Sequence, residues 1–138
     1  QIVFDTKVMR LFMKNTQTIM IDVNYDLKAS MQKCTVPLKN GKNLVVFPEG
    51  AISRDRELLE FKKFFAILSI ELDIPVVPVV LDGTFEAMHA GKLFPRPSSV
   101  VIKYLEPIYP KGLTYEELAA KVKNAIHEEM IKHPLHED

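Results

Sequence analysis

Residues 44–54 read Leu-Val-Val-Phe-Pro-Glu-Gly-Ala-Ile-Ser-Arg, an apolar run that ends at a Pro-Glu-Gly turn. The run from Leu44 to Phe47 has the length and composition of a buried strand. Gly50 can adopt a positive φ and lets a ligand approach the backbone closely. We therefore predict a strand followed by a loop, and α/β proteins bind ligands at loops beyond the carboxyl ends of their strands.

Apolar runs and amphipathic patterns alternate along the rest of the chain. Strands are also predicted over 18–22, 76–81 and 100–104. Helical spacing predicts helices over 2–14 and 61–72. A further helix is predicted from Asp26, as its N-cap, to Asn40-Gly41 at its end. The last predicted helix begins at a capping box of Thr114 and Glu117, and its buried stripe is Leu118, Val122, Ile126 and Met130. The predicted fold class is α/β, a mostly parallel (mixed) sheet flanked by helices.

Pro78 interrupts the most β-branched run of the chain, residues 76–81. Proline has no N–H to donate to a sheet ladder, so this strand is expected to lie at an edge or to carry an irregularity.

Composition narrows the class of protein. The length, 138 residues, suits one domain. Eighteen basic and 18 acidic residues give zero net charge, which argues against a general nucleic-acid binder. Cys34, the one cysteine, excludes a disulfide within the chain and favours a reducing, cytosolic setting. No apolar run reaches the roughly 18 residues of a membrane span.

Several side chains suited to an anion follow the Pro-Glu-Gly turn. Ser53 and Arg54 offer a hydroxyl and a fork of N–H donors, and Lys62 and Lys63 open the next predicted helix. Two cations at the positive end of a helix dipole make sense if an anion binds there. The alternative is an ordinary polar turn with solvated lysines.

With these motifs in place, the sequence resembles the glycerol-3-phosphate and lysophosphatidate acyltransferase superfamily. Phe-Pro-Glu-Gly at 47–50, Ser53 and Phe-Lys-Lys at 61–63 look like its third motif block, and Val-Val-Pro-Val at 76–79 looks like its fourth. Ile-Met-Ile-Asp at 19–22 lies where the strand of the second block is expected. The resemblance runs over about residues 1–110.

The resemblance implies transfer of a fatty acyl group from acyl-CoA or acyl-ACP to a glycerolipid hydroxyl, with a His–four residues–Asp pair as base and orienter. Neither a metal nor an organic cofactor beyond the thioester carrier is implied. The third block would hold the acceptor phosphate and the fourth would line the acyl side. The expected substrate-binding residues are Glu49, Gly50, Ser53, Arg54, Lys62, Lys63 and Pro78.

Residues 1–138 are interpreted as the C-terminal part of a single acyltransferase domain, truncated so that the His-Asp pair lies upstream of Gln1. The fragment itself is then expected to be inactive. His133 and Asp138 have the spacing of the pair but follow the last helix. His89, on a loop after a strand, has no acidic residue in register.

Four positions depart from the family pattern. Ala51 and Ile52 stand where Thr-Arg is usual, Val23 follows Asp22 in place of Arg, and Phe64 replaces a common Gly. These changes put the identity of the acceptor in doubt. Two alternatives remain open. The chain could be a degenerate lipid- or phosphometabolite-binding module of a larger multidomain protein, or part of an enzyme with a non-phosphorylated acceptor such as an amine.

The expected location is cytoplasmic, peripheral to the inner face of the membrane. Lys7, Arg10 and Lys14 share one face of the predicted helix over 2–14. That face fits contact with anionic lipid, and it equally fits a solvated face on a helix packed against the sheet. The expected partners are a glycerolipid acceptor and an acyl thioester, with no nucleic acid, and fusion to other domains is compatible with the sequence.

Overall fold

The computed structural model describes residues 15–19, 21, 26–51, 57–87 and 96–132. It consists of two compact units, residues 1–45 and 46–138. The helix predicted over 2–14 lies outside the described residues. So do residues 20 and 22 of the strand predicted over 18–22, and Thr18, Ile19 and Ile21 are assigned to no strand.

The first unit contains one described helix, α1, Leu27–Lys39. Asp26 caps it as predicted, because its Oδ1 accepts a hydrogen bond from the Ala29 N–H at 2.8 Å. Asn40 forms the C-cap, and Gly41 follows with φ +74°. The prediction of this helix and of both its ends is confirmed.

The second unit holds three helices and two strands among its described residues: α2 Phe64–Leu72, β1 Val79–Asp82, α3 Thr84–Ala87, β2 Val101–Tyr104 and α4 Tyr115–Lys132. Helix α2 begins three residues later than predicted. The Lys62 N–H donates to Pro48 O at 2.8 Å, and this contact joins the residues before α2 to the preceding loop.

The predicted capping box begins α4. The Glu117 N–H donates to Thr114 Oγ1 at 3.2 Å, and the Thr114 N–H donates to Glu117 Oε2 at 2.8 Å. The first contact satisfies an N–H group of the helix terminus that has no partner within the helix. The Thr114 hydroxyl also donates to Glu117 Oε2, at 3.0 Å, and the backbone and hydroxyl bonds from Thr114 hold the pKa of the Glu117 carboxyl below its usual value.

Strands β1 and β2 pair in antiparallel orientation, with Val79 opposite Tyr104 and Asp82 opposite Val101. A bridge joins Val76 to Ile108. The two pairings, 76 with 108 and 79 with 104, lie three residues apart along the first segment and four residues apart along the second. The second segment therefore contains one extra residue, as in a β-bulge. The irregularity predicted around Pro78 is confirmed.

The mostly parallel sheet is not found among the described residues, whose only strands are this antiparallel pair. The strand predicted over 44–47 is wrong, because this segment is described and lies in no strand. Val45 and Phe47 are 81% and 71% exposed, so the apolar run does not enter the core. A strand also needs backbone partners on a neighbouring strand, and none pairs with this segment in the part of the chain that the structure describes.

The core of the second unit lies between the two longer helices and one face of the sheet. Its buried members are Phe65, Ala66, Val80, Leu118, Ala119, Val122 and Ile126. Three of them belong to the apolar stripe predicted for α4, which is confirmed, and its fourth member, Met130, packs against the core from partly buried surroundings. None of the described helices is long and apolar enough to cross a bilayer.

The opposite face of the two-stranded sheet is apolar and exposed. Leu81 lies opposite Ile102 and Val79 opposite Tyr104, so these four side chains share one face. Ile102 is 54% exposed and Tyr104 is 72% exposed. Val80 lies on the other face, in the core. We call the four residues 79, 81, 102 and 104 the outer sheet face.

Candidate functional site

The predicted anion-binding loop leaves the segment 44–47 through a turn at Pro48 and Glu49. Gly50 has φ +65°, a conformation that residues with a side chain rarely adopt. The Lys62 N–H donates to Pro48 O at 2.8 Å. This bond draws the far end of the loop back to its start, so Lys62 and Gly50 lie close together although they are twelve positions apart in sequence.

Glu49 stabilises the closed loop. Its Oε2 accepts a hydrogen bond from the Leu59 N–H at 2.8 Å, in a partly buried position. A carboxylate that accepts from a backbone N–H makes a stronger bond than a neutral acceptor. Glu49 is therefore placed to position the loop, a role that the sequence prediction of a ligand contact did not include.

The side chain of Lys62 passes over Gly50. A Cβ built on Gly50 would lie 2.8 Å from Lys62 Cε and 3.3 Å from Lys62 Cδ. Position 50 thus combines two requirements for glycine, a positive φ and the close passage of the lysine stem. Lys62 itself is exposed.

Lys63 makes a different contact. Its Nζ lies 2.6 Å from Glu116 Oε1 in the first turn of α4, and both side chains are more than half exposed. The Lys63 ammonium lowers the pKa of Glu116 below its usual value, chiefly through this hydrogen bond. An ion pair this exposed adds little stability, but it directs the Lys63 charge toward α4.

The other predicted site residues divide into two groups. Pro78 is described: it is among the fully buried side chains, and its carbonyl oxygen accepts from the Leu105 N–H at 2.9 Å. Ser53 and Arg54 lie outside the described residues, as do His89, His133 and Asp138. Their assignments stay predictions.

A shallow groove of about 330 Å³ lies beside α4, a feature that sequence reasoning did not predict. Its lining residues come from the end of the loop and from the first half of α4: Glu60, Phe61, Lys63, Glu116, Ala119, Ala120, Lys123 and Asn124. Two ion pairs, Lys63 with Glu116 and Lys123 with Glu60 at 2.5 Å, join its walls. Neither Gly50 nor Lys62 lines it, so the groove is distinct from the turn.

Among the described residues no group of three or more His, Cys, Asp or Glu side chains is arranged to hold a metal ion. His127 is the one histidine in the described part of the chain, and it lies exposed on α4. Lys132 occupies the position where a His–four residues–Asp motif would require the acid.

The comparisons with known proteins agree with the motif pattern. The family model named Acyltransferase matches residues 1–82, more than half of the chain, and the chain belongs to the acyltransferase family. This confirms the resemblance on which the sequence interpretation rested.

Two relatives illustrate the range of similarity. The 1-acyl-sn-glycerol-3-phosphate acyltransferase of Limnanthes douglasii is 41% identical over 81 residues, which cover 59% of this chain and 29% of that protein. The lyso-ornithine lipid O-acyltransferase of Pseudomonas aeruginosa is 30% identical over 117 residues, covering 73% of this chain and 45% of that protein. The chain thus spans less than half of either relative.

A solved structure is also similar. The 1-acyl-sn-glycerophosphate acyltransferase PlsC of Thermotoga maritima matches with a TM-score of 0.72 and 31% sequence identity. The match covers 79% of this chain and 46% of that protein. The described helices and small antiparallel sheet are therefore part of an acyltransferase fold.

Proposed function

We propose that the protein containing this chain is an O-acyltransferase of phospholipid biosynthesis. It transfers a fatty acyl group from acyl-CoA or acyl-ACP to the hydroxyl of a glycerolipid acceptor such as 1-acylglycerol-3-phosphate. The reaction takes place at the cytoplasmic surface of a membrane. Family membership and the names of the relatives support this proposal.

One observation carries the proposal for this chain's own residues: the closed turn at Gly50. The Glu49–Leu59 and Pro48–Lys62 contacts fix the turn, and Gly50, with φ +65° and no side chain, leaves room for the stem of Lys62 beside its backbone. A lysine lies directly over it. This cation, held at the turn, is the group proposed to meet the acceptor's phosphate.

The chemistry requires a base for the acceptor hydroxyl. The hydroxyl oxygen attacks the thioester carbonyl carbon while its proton passes to the base. The carbon–sulfur bond then breaks, and the departing thiolate of the carrier takes the proton back from the base. No described residue is placed for this role, since exposed His127 has no acidic residue in register. We therefore propose that this chain supplies the acceptor side of the site and shows no transfer by itself.

Two samples test the proposal: the native protein that contains this sequence, and the 138-residue chain alone. Each is incubated with acyl-CoA or acyl-ACP and one acceptor from a panel of 1-acylglycerol-3-phosphate, lyso-ornithine lipid, monoacylglycerol and an amine, and the acylated product is measured. The native protein is expected to acylate 1-acylglycerol-3-phosphate, and the chain alone is expected to form no product. Failure of the native protein to acylate any acceptor, with acyl-CoA or acyl-ACP as donor, overturns the proposal.

A second candidate function is a binding module without transfer. Ala51 and Ile52, in place of the family's usual Thr-Arg, favour it, because a guanidinium suited to phosphate is absent from its usual position. Acceptor binding by the native protein without turnover identifies this alternative. Acylation of lyso-ornithine lipid or of an amine, but not of the phosphorylated acceptor, identifies the non-phosphorylated acceptor class.

A further inference from the structure

The adjacent lysines at the entrance to α2 have different structural tasks. We infer that Lys62, rather than Lys63, is the cation that binds the acceptor's phosphate. This inference rests on the proposed function and assigns one residue of the same site.

Lys63 is committed to the protein itself. Its ammonium contacts the Glu116 carboxylate at 2.6 Å, and Glu116 lies on α4, more than fifty residues away in sequence. A carboxylate at this distance neutralises most of the field that the ammonium would present to a ligand. Lys63 therefore acts as a link between the start of α2 and the start of α4.

Lys62 keeps its charge available. No ion pair involving its ammonium is found among the described residues, and its side chain is exposed. Two carboxylates near the turn have other partners: Glu49 accepts from the Leu59 N–H, and Glu60 pairs with Lys123. The aliphatic part of the Lys62 side chain lies across Gly50, and its position determines where the ammonium lies.

The stem fixes where the ammonium can reach. Lys62 Cδ and Cε lie within 3.3 Å of the position that a Gly50 Cβ would take, so Nζ, one bond further, remains close to the turn. The backbone N–H of Lys62 is already tied to Pro48 O, which limits the movement of the residue. A phosphate on the turn would meet this ammonium as a point charge, the manner in which lysine binds phosphate.

The inference makes a prediction about selectivity. A charge contact favours 1-acylglycerol-3-phosphate over monoacylglycerol, which has the same acyl chain and glycerol hydroxyl but no phosphate. Loss of the Lys62 charge should therefore weaken the binding of phosphorylated acceptors and leave the binding of uncharged acceptors unchanged. Loss of the Lys63 charge should affect the link to Glu116 and not the acceptor.

The test uses Lys62→Gln, Lys62→Arg and Lys63→Gln, with Lys111→Gln as a matched change of an exposed lysine elsewhere. Binding of sn-glycerol 3-phosphate to the 138-residue chain is followed by NMR titration, and KM for 1-acylglycerol-3-phosphate and for monoacylglycerol is measured in the native protein. Lys62→Gln should raise Kd and the KM for the phosphorylated acceptor about tenfold, the scale of one charge-assisted hydrogen bond. KM for monoacylglycerol should not change.

Arginine at position 62 should restore Kd to within about threefold of the original chain, and Lys63→Gln and Lys111→Gln should shift it by less than about twofold. Equal losses in Lys62→Gln and Lys63→Gln, or none in Lys62→Gln, overturn the inference. Because Kd is measured on the chain, the binding result stands even if the native protein transfers no acyl group, an outcome that would refute the proposed function separately.

Discussion

Replacing Glu49 tests whether this residue positions the loop. In Glu49→Ala the Leu59 N–H loses its acceptor at 2.8 Å. A hydrogen bond to a charged group contributes about 1.5–3 kcal/mol. Since Glu49 is only partly buried and the Pro48–Lys62 bond still closes the loop, the expected loss is near the lower limit, about 1.5 kcal/mol. Glu49→Gln keeps a neutral acceptor oxygen, so its expected loss is about 0.5–1 kcal/mol.

Urea denaturation of the chain measures both losses, and amide hydrogen exchange at Leu59 reports on the bond directly. Glu106→Ala is the matched control, because Glu106 is an exposed carboxylate after β2. Loop positioning is supported if the loss of unfolding free energy is largest in Glu49→Ala, smaller in Glu49→Gln and smallest in Glu106→Ala. Unchanged exchange at Leu59 together with a loss no larger than that of Glu106→Ala would refute it.

Three further changes probe the second unit. Leu118→Ala removes a side chain with 0% exposure from the core. The free energy of unfolding, measured by urea denaturation, should fall by about 3–4 kcal/mol. A loss below about 1 kcal/mol would contradict the central place of Leu118 in the core. Asp73, at φ +51° beyond the end of α2, is a carboxylate at the negative end of the helix dipole. Asp73→Asn tolerates the same backbone and should stabilise the chain by about 0.3–1 kcal/mol, which thermal denaturation can measure; a lower midpoint would contradict this. The lowered folded-state pKa of Glu117 contributes stability that is present above its ordinary value of 4.5 and is lost as pH falls through the lower folded value. Unfolding measured from pH 7 to pH 2 should thus show a smaller acid loss in Glu117→Gln, and superimposable pH profiles would count against the capping contact.

The local features of the fold could be predicted from the sequence. Asp26 and the Thr114/Glu117 box each contact a backbone group three residues away, so residue type and spacing contain the whole interaction. The irregularity at Pro78 follows from the missing N–H of one residue. Gly50 was likewise assigned to the turn by its type, and its positive φ is found in the structure.

The features that were missed depend on residues far apart in sequence. The apolar run 44–47 had the composition of a buried strand, but composition does not reveal whether a neighbouring strand is present. The Lys63–Glu116 pair joins positions 53 residues apart and has no signal in either local pattern. The contact between Glu49 and Leu59 also lacked a signal, since a glutamate in a loop is as readily a ligand or a solvated residue.

The outer sheet face has a consequence for handling the chain in solution. Three exposed side chains and the partly buried Val79 form an apolar surface on this two-stranded ribbon, to which another such surface can adhere. Each of its exposed members therefore favours self-association as the protein concentration rises. Threonine is less apolar than either residue and is well tolerated in strands. Changing Ile102 and Tyr104 together to threonine should therefore raise the concentration at which light scattering first detects oligomers.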